Sequence, residues 1–310
     1  LTAIAVRDLV KRYRGAADNA VDGVSFDVPK GQLFCLIGPN GAGKTTTVSV
    51  LTTTLRPTSG TVLIGGRDLS AEQAAIRRDL GIVFQQQSLD LRLTAEENIR
   101  LHAVLYGLYP WRPLYRLMPA GYRRQVQDLS GVLGVSGVLG RPAGTLSGGT
   151  RRKLEIVRAL LHRPLVLFLD EPTAGLDPES RRSLWSYLQR ARRERGTTVF
   201  LTTHFLAEAE TADSVCVLAH GRVIESASPA RLKARYARPE LLLDADDREL
   251  LRRELTAAGL CPAGQGPLRV SLDGTSPQRI LARVSMRLTQ LRIAEPSLED
   301  AYLLLLSRAG

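Results

Sequence analysis

Gly38-Pro39-Asn40-Gly41-Ala42-Gly43-Lys44-Thr45 fits the pattern G-x-x-x-x-G-K-[ST] at every position, and its flanks carry the rest of the argument. Upstream, Leu33-Phe34-Cys35-Leu36-Ile37 is an unbroken apolar run, the composition of a strand buried on both faces. Downstream, Thr46-Thr47-Val48-Ser49-Val50-Leu51 continues as a helix. Strand, glycine-rich loop and helix in that order predict a loop whose backbone N–H groups turn inward on a polyphosphate, because glycine tolerates the angles this requires. The helix adds its positive N-terminal end. In such a loop Gly38, Pro39, Asn40, Gly41, Ala42, Gly43 and Thr46 form the cradle, Lys44 reaches the β- and γ-phosphates, and the Thr45 hydroxyl ligates Mg²⁺. The expected fold is α/β and the expected ligand is ATP or GTP.

A second anchor lies downstream at Leu165-Val166-Leu167-Phe168-Leu169-Asp170-Glu171. Five apolar residues ending in two acids read as a central parallel strand whose carboxylates emerge at a ligand crevice. Asp170 is then expected in the Mg²⁺ shell and Glu171 beside the attacking water. Between the two anchors, Leu146-Ser147-Gly148-Gly149-Thr150 opens a helical run from Arg151 to Leu161. A serine and two glycines at a helix start make another anion-binding end, with free N–H groups and a favourable dipole. One chain rarely needs two such ends for one ligand, so the second is expected to serve the nucleotide of a partner subunit.

The composition bounds what else the chain is. Its 310 residues are 44% hydrophobic, enough for one large domain or two unequal ones. The net charge of +11, mostly arginine, suits a solvated basic surface around a polyanionic nucleotide, and equally suits anionic lipid headgroups or nucleic acid. Cys35, Cys216 and Cys261 form no C-x-x-C pair, and the first two sit in apolar runs, so buried free thiols are expected rather than ligands or disulfides. No charged-then-apolar leader opens the sequence, and no apolar run approaches the ~20 residues of a membrane span. A reducing, cytoplasmic setting is expected.

Taken in order, these motifs resemble the ATP-binding subunits of ATP-binding-cassette (ABC) transporters over about residues 1 to 230. The resemblance implies a RecA-like core with antiparallel β and helical subdomains, binding ATP and Mg²⁺. It makes Tyr13 the aromatic that stacks on adenine, and Gln85, directly after Ile82-Val83-Phe84, the residue linking Mg²⁺ and water to the transporter interface. Ser147, Gly148 and Gly149 match the signature sequence, Glu171 the catalytic glutamate, and Gly175-Leu176-Asp177 the loop that communicates across a dimer. His204, after Thr198-Val199-Phe200-Leu201-Thr202-Thr203, matches the switch histidine that senses the γ-phosphate. With Lys44, Glu171 and His204 form the implied catalytic set. Singly, Tyr13 has a surface aromatic as its lesser alternative and His204 reads as a satisfied histidine, while Asp177-Pro178 is also a good helix start. Thr150 departs from the family, which usually has glutamine or methionine there.

Residues from about 88 to 160 read as mainly helical, interrupted by the aromatic and proline-rich stretch Tyr109-Pro110-Trp111-Arg112-Pro113-Leu114-Tyr115, either a partner contact or an exposed variable loop. After Ser226-Ala227-Ser228-Pro229, read as a linker, a small α+β domain is expected over 238–310. Its pattern is strand 241–243, helix 247–258, strand 268–272, helix 277–288, strand 291–293 and a final helix 296–306 capped by Ser297 and Asp300. Pro296-Ser297-Leu298-Glu299-Asp300 resembles the C-terminal motif of daunorubicin-type drug-resistance exporters. That resemblance implies an integral-membrane permease as partner and a second ATPase subunit in an ATP sandwich. It also implies a peripheral place on the cytoplasmic face of the cell membrane and export of a drug, lipid or similar amphipathic molecule. The competing expectation is a soluble cassette ATPase acting on nucleic acid or ribosomes. Such proteins usually carry two cassettes, heptad arms or zinc-binding insertions, none of which this sequence has, so no nucleic acid is expected as partner.

Overall fold

The apolar run ahead of the phosphate loop forms the strand Leu33–Ile37, buried at every residue. The computed structural model describes residues 1–86, 88–272 and 275–309; Gln87, Asp273, Gly274 and Gly310 lie outside it. The chain folds as two units, Leu1–Ser226 and Ala227–Gly310.

In the first unit Leu33–Ile37 belongs to a sheet with the order Arg222–Ala227, Ser214–Ala219, Leu33–Ile37, Thr198–Thr202, Val166–Asp170 and Leu80–Val83. The pairings of Leu33–Ile37 with both neighbours are parallel, as are those of Val166–Asp170. Parallel strands need crossovers, and crossovers bring the strand ends to one edge, where ligand crevices form. The phosphate loop, Asp170, Thr202 and the segment leading to Gln85 all leave the sheet on that edge. Register pairs Asp170 with Thr202 directly.

A second sheet, ordered Val21–Pro29, Thr2–Lys11, Ser59–Ile64 and Arg67–Asp68, is antiparallel. The two sheets share a core in which Phe26 of the antiparallel sheet stacks on Phe34 at 5.1 Å, and Phe34 and Phe168 each lie 5.1 Å from Phe200. Offset ring pairs at such spacings add to plain area burial. Cys35 and Cys216 are buried free thiols, as expected, and desolvation pushes Cys216 up to about 12.

The helical region contains Ala95–Leu105, Ala120–Val132 and Gly148–Leu160. Thr94 and Glu97 form a reciprocal capping box at the first of these. Fully buried Tyr122 donates to Glu96 at 2.9 Å, and Glu96 pairs with Arg100 at 3.2 Å. Within the proline-rich stretch only Tyr115–Leu117 makes a short 3₁₀ turn. The stretch is nevertheless pinned. Arg100 donates to the Arg112 carbonyl at 2.8 Å, and Tyr109 and Tyr115 pack edge-on to Tyr122.

The second unit is built on a three-stranded antiparallel sheet ordered Leu268–Ser271, Glu240–Ala245 and Leu288–Ala294. Its core gathers Leu241, Leu243, Leu251, Leu255, Val270 and Ile280. Ser297 and Asp300 form the expected cap of the last helix, Leu298–Ala309. Two expectations differ from the structure. The stretch read as a linker is structured: Ser226 and Ala227 end a strand, and Ser228 caps the helix Pro229–Tyr236. The helix expected over 277–288 stops after Pro277–Leu281. Beyond it Val284, Met286 and Leu288 alternate onto the core, and Ser285 between them bonds Glu254 through its backbone N–H at 3.0 Å. The period-2 burial thus overrides the helical spacing of Ile280, Leu281 and Val284.

Candidate functional site

Gly43 shows why the phosphate loop needs its glycines. It has φ 98°, and a Cβ there would stand 2.5 Å from the Ala20 carbonyl oxygen. The loop runs straight into the helix Lys44–Leu51. Asn40 to Thr46 line a cavity of about 380 Å³ together with Gln85, Asp170, Glu171 and His204. The Lys44 ammonium donates to the Gly38 and Pro39 carbonyls at 2.7 and 2.9 Å. Burial pulls its pKa below the usual lysine value, while Glu171 and Asp170 work against that fall. Tyr13, 46% exposed, stands at the edge of the loop with its hydroxyl 3.2 Å from that of Thr46.

Asp170 accepts the Thr202 hydroxyl on one oxygen. Asp170, Thr45 and Gln85 line the same cavity. Among the described residues no group of three or more His, Cys, Asp or Glu could hold a metal. A single carboxylate with neutral oxygens is instead the donor set of a Mg²⁺ bound largely through nucleotide phosphates.

Glu171 has φ 48°, an uncommon conformation for a residue with a side chain, and its N–H donates to the Thr202 carbonyl at 3.0 Å. The left-handed turn aims the carboxylate along the sheet edge. One oxygen lies 2.6 Å from His204 Nε2, and the other accepts from Gln85 Nε2 at 3.4 Å. Three residues far apart in sequence thus meet on one carboxylate.

Ser147, Gly148, Gly149 and Asp177 line a different cavity, of about 580 Å³, which shares only Gln85 and Glu171 with the phosphate-loop cavity. Ser147 caps the helix Gly148–Leu160 by accepting the Thr150 N–H at 3.2 Å, and its hydroxyl also lies 2.8 Å from that of Thr150. The departure at Thr150 therefore engages the signature serine directly. Asp177 caps the helix Pro178–Arg195, and its bonds from Ser180 hold its carboxyl down at about 2.

Sequence reasoning missed Arg152. Only 5% exposed, it donates to the carbonyls of Phe84, Asp170 and Glu171 and pairs with Glu155 at 3.3 Å. It thereby joins the segment before Gln85 to the strand end bearing both acids. Thr203 was also missed. Its hydroxyl donates to buried Glu208 at 2.7 Å and accepts the Phe205 N–H at 2.9 Å, tying down both sides of His204. Two threonines closing an apolar strand were a visible signal; a helical arginine three residues from a glutamate was not.

The sequence profile of the ABC transporter family matches residues 21–174. The daunorubicin/doxorubicin resistance ATP-binding protein DrrA of Streptomyces peucetius is 36% identical over 315 residues, covering 98% of this chain and 92% of that protein. The chain belongs to the ABC transporter family. A doxorubicin resistance ATP-binding protein DrrA of Mycobacterium tuberculosis is 32% identical across 97% of this chain and 92% of its own length. Among solved structures, an ATP-binding subunit of an ABC transporter superposes with a TM-score of 0.68 at 31% identity, over 76% of this chain and 93% of its own. A dimeric ATP-binding cassette solved in a post-hydrolysis state with ADP and Pi gives 0.65 at 26% identity, over 73% of this chain and 98% of its own. This ABC protein is an ATPase. Among the described residues no helix is long and apolar enough to cross a membrane.

Proposed function

We propose that this cassette ATPase powers a separate integral-membrane permease that exports a drug, lipid or similar amphipathic molecule, from a peripheral position on the cytoplasmic face of the membrane. It works as a pair, with two ATP molecules between two copies. Each ATP is held by the phosphate loop of one copy and the signature helix of the other. The observation that carries this reading is that Ser147–Gly149 and Lys44–Thr46 line different cavities within one chain, with Glu171 and Gln85 common to both. A second anion-binding helix end, on a cavity other than that of its own phosphate loop, suits another copy's nucleotide. The drug-resistance names of the full-length relatives support export and an amphipathic cargo.

In this reading Tyr13 stacks on the adenine, and the Lys44 ammonium exchanges two backbone carbonyls for the β- and γ-phosphates. Thr45, Asp170 and Gln85 hold Mg²⁺, which when bound neutralises charge building on the phosphates. The Glu171 carboxylate orients water, with His204 and Gln85 fixing its two oxygens. His204, once turned to the γ-phosphate, reports whether the phosphate is still attached. Closure of the pair drives the permease, and hydrolysis reopens it.

Glu171→Gln tests the assignment. It keeps the shape and the Gln85 contact but loses the base, so turnover is expected to fall about 100-fold or more, with an ATP-bound dimer accumulating on size exclusion. Wild-type turnover in this variant would refute the role of Glu171. Affinity purification from detergent-solubilised membranes is expected to recover a multi-span partner. Recovery of ribosomes or nucleic acid instead would refute the transport reading.

A further inference from the structure

Within the cassette, but away from both cavities described above, a third cavity of about 580 Å³ opens between the helix Ala120–Val132 and the C-terminal turns of Pro178–Arg195. Arg124, Arg163, Arg190 and Arg195 line it, with Tyr187 between them. All four arginines are exposed at the cavity mouth, unlike half-buried Arg192 on the same helix as Arg190 and Arg195, which bonds the Gly31 carbonyl and Asp213. Among the described residues the side chains of Arg124, Arg163 and Arg190 make no hydrogen bond or ion pair, and that of Arg195 reaches only the Tyr187 hydroxyl, at 3.4 Å. Two carboxylates, Asp128 and Glu194, share the wall, yet neither pairs with any of the four.

Helix-end electrostatics explains part of this cluster. Arg195 ends one helix and Arg163 follows the end of another, where the dipole favours cations. Arg163 has φ 53°, a conformation in which Gly or Asn sits more easily. Tyr187 is only 6% exposed. Burial pushes its phenol upward, and Arg195, which bonds it at 3.4 Å, pulls it back together with Arg163 and Arg190.

We propose that this cavity binds a small ligand carrying two or more phosphate groups, at a site separate from that of ATP. Guanidinium forks match phosphate oxygens two at a time, and four of them lining one cavity, none held by a carboxylate, exceed what a single carboxylate needs. Tyr109, Leu129 and Val132 supply an aromatic and apolar wall for the body of the ligand. The volume lies in the ordinary range for small-molecule sites. Tyr109 and Arg124 come from the helical subdomain, while Arg190 and Arg195 come from the helix after Asp177, so an occupant bridges the two. The same chemistry is offered by a soluble polyphosphate and by a phosphorylated lipid headgroup.

The test uses the full chain carrying Lys44→Ala, which weakens phosphate binding at the loop, and follows inorganic tripolyphosphate by titration calorimetry. One site is expected to remain. Arg163→Ala with Arg190→Ala is expected to weaken it by about tenfold per guanidinium removed, and Tyr187→Phe by a few fold. Sedimentation with phosphatidylcholine vesicles, with and without phosphatidic acid, separates the sources. Capture by phosphatidic acid that the double arginine variant abolishes identifies a lipid headgroup, whereas tripolyphosphate binding without vesicle capture identifies a soluble ligand. The proposal is overturned if the Lys44→Ala chain binds neither, or if the arginine substitutions leave binding unchanged. ATP hydrolysis enters none of these readouts, so the outcome is independent of the transport reading.

Discussion

Replacing Arg152 by methionine removes a guanidinium that is 5% exposed and leaves Glu155, 1% exposed, without its countercharge. Breaking a buried ion pair from one side costs about 3–5 kcal/mol. Ser88 still donates to Glu155 from its backbone N–H and from its hydroxyl at 3.2 Å, which places the expected loss at the lower end, about 3 kcal/mol. For a domain of this size each kcal/mol moves the melting temperature by roughly 2–4 °C, so the cassette is expected to melt about 6–12 °C lower. Chemistry suffers separately. The carbonyls of Phe84, Asp170 and Glu171 lose a common donor, so Gln85 and Glu171 are no longer held on one carboxylate-to-water geometry. Turnover is expected to drop by about tenfold or more, while nucleotide affinity, set by the untouched phosphate loop, stays near that of the parent. Thermal unfolding with and without ATP, alongside steady-state hydrolysis, measures both. Adding Glu155→Gln to the methionine variant removes the stranded charge, and is expected to restore part of the stability and none of the turnover. A melting shift under about 2 °C, or parental turnover, would refute this account of Arg152.

A methyl group at Gly149 would stand 2.8 Å from the Gly175 carbonyl oxygen. Gly149→Ala is therefore expected to displace the loop before Asp177 at a cost of about 1–3 kcal/mol, lowering ATP-dependent dimerisation on size exclusion while single-chain nucleotide binding is unchanged. His102 gives an acid-side prediction. Burial, then Arg158 and His162, drive its pKa down to about 3, its Nε2 has no partner among the described residues, and its ring packs at a tilt against those of Tyr106 and His162. The folded value lies below the unfolded value of 6.5, so only the unfolded chain takes up a proton as pH falls below 6.5. Stability is thus complete above pH 6.5 and lost progressively toward about pH 3, with about 2 kcal/mol gone by pH 5. His102→Phe, which keeps the ring, is expected to flatten that slope in melting curves between about pH 5 and 7; an unchanged slope refutes the assignment.

The phosphate loop and the strand leading into Asp170 and Glu171 were legible in the sequence because each is a local device. A glycine at φ 98° with a carbonyl 2.5 Å from its missing Cβ admits no substitute, and an apolar strand that must end at water announces its end with polar residues. The helix caps at Asp177 and Ser297 were readable for the same reason, since each is settled within about four residues. The helix expected over 277–288 was misread because its apolar residues fit two periods. Only the partner strand Glu240–Ala245 and Glu254 selected the extended one from Leu288 onward. Arg152 was not legible at all. An arginine on a helix looks solvated until the fold brings the ends of two strands beneath it, and burial then turns an ordinary cation into the tie between three carbonyls. The cluster around Tyr187 arises in the same way, from one helix, the end of another and a loop whose charges meet only in space. What the sequence by itself determined is the list of chemical groups and their local geometry. Tertiary structure alone decided which of them face a common cavity, because parallel strands carry their ends to one edge whatever their separation along the chain.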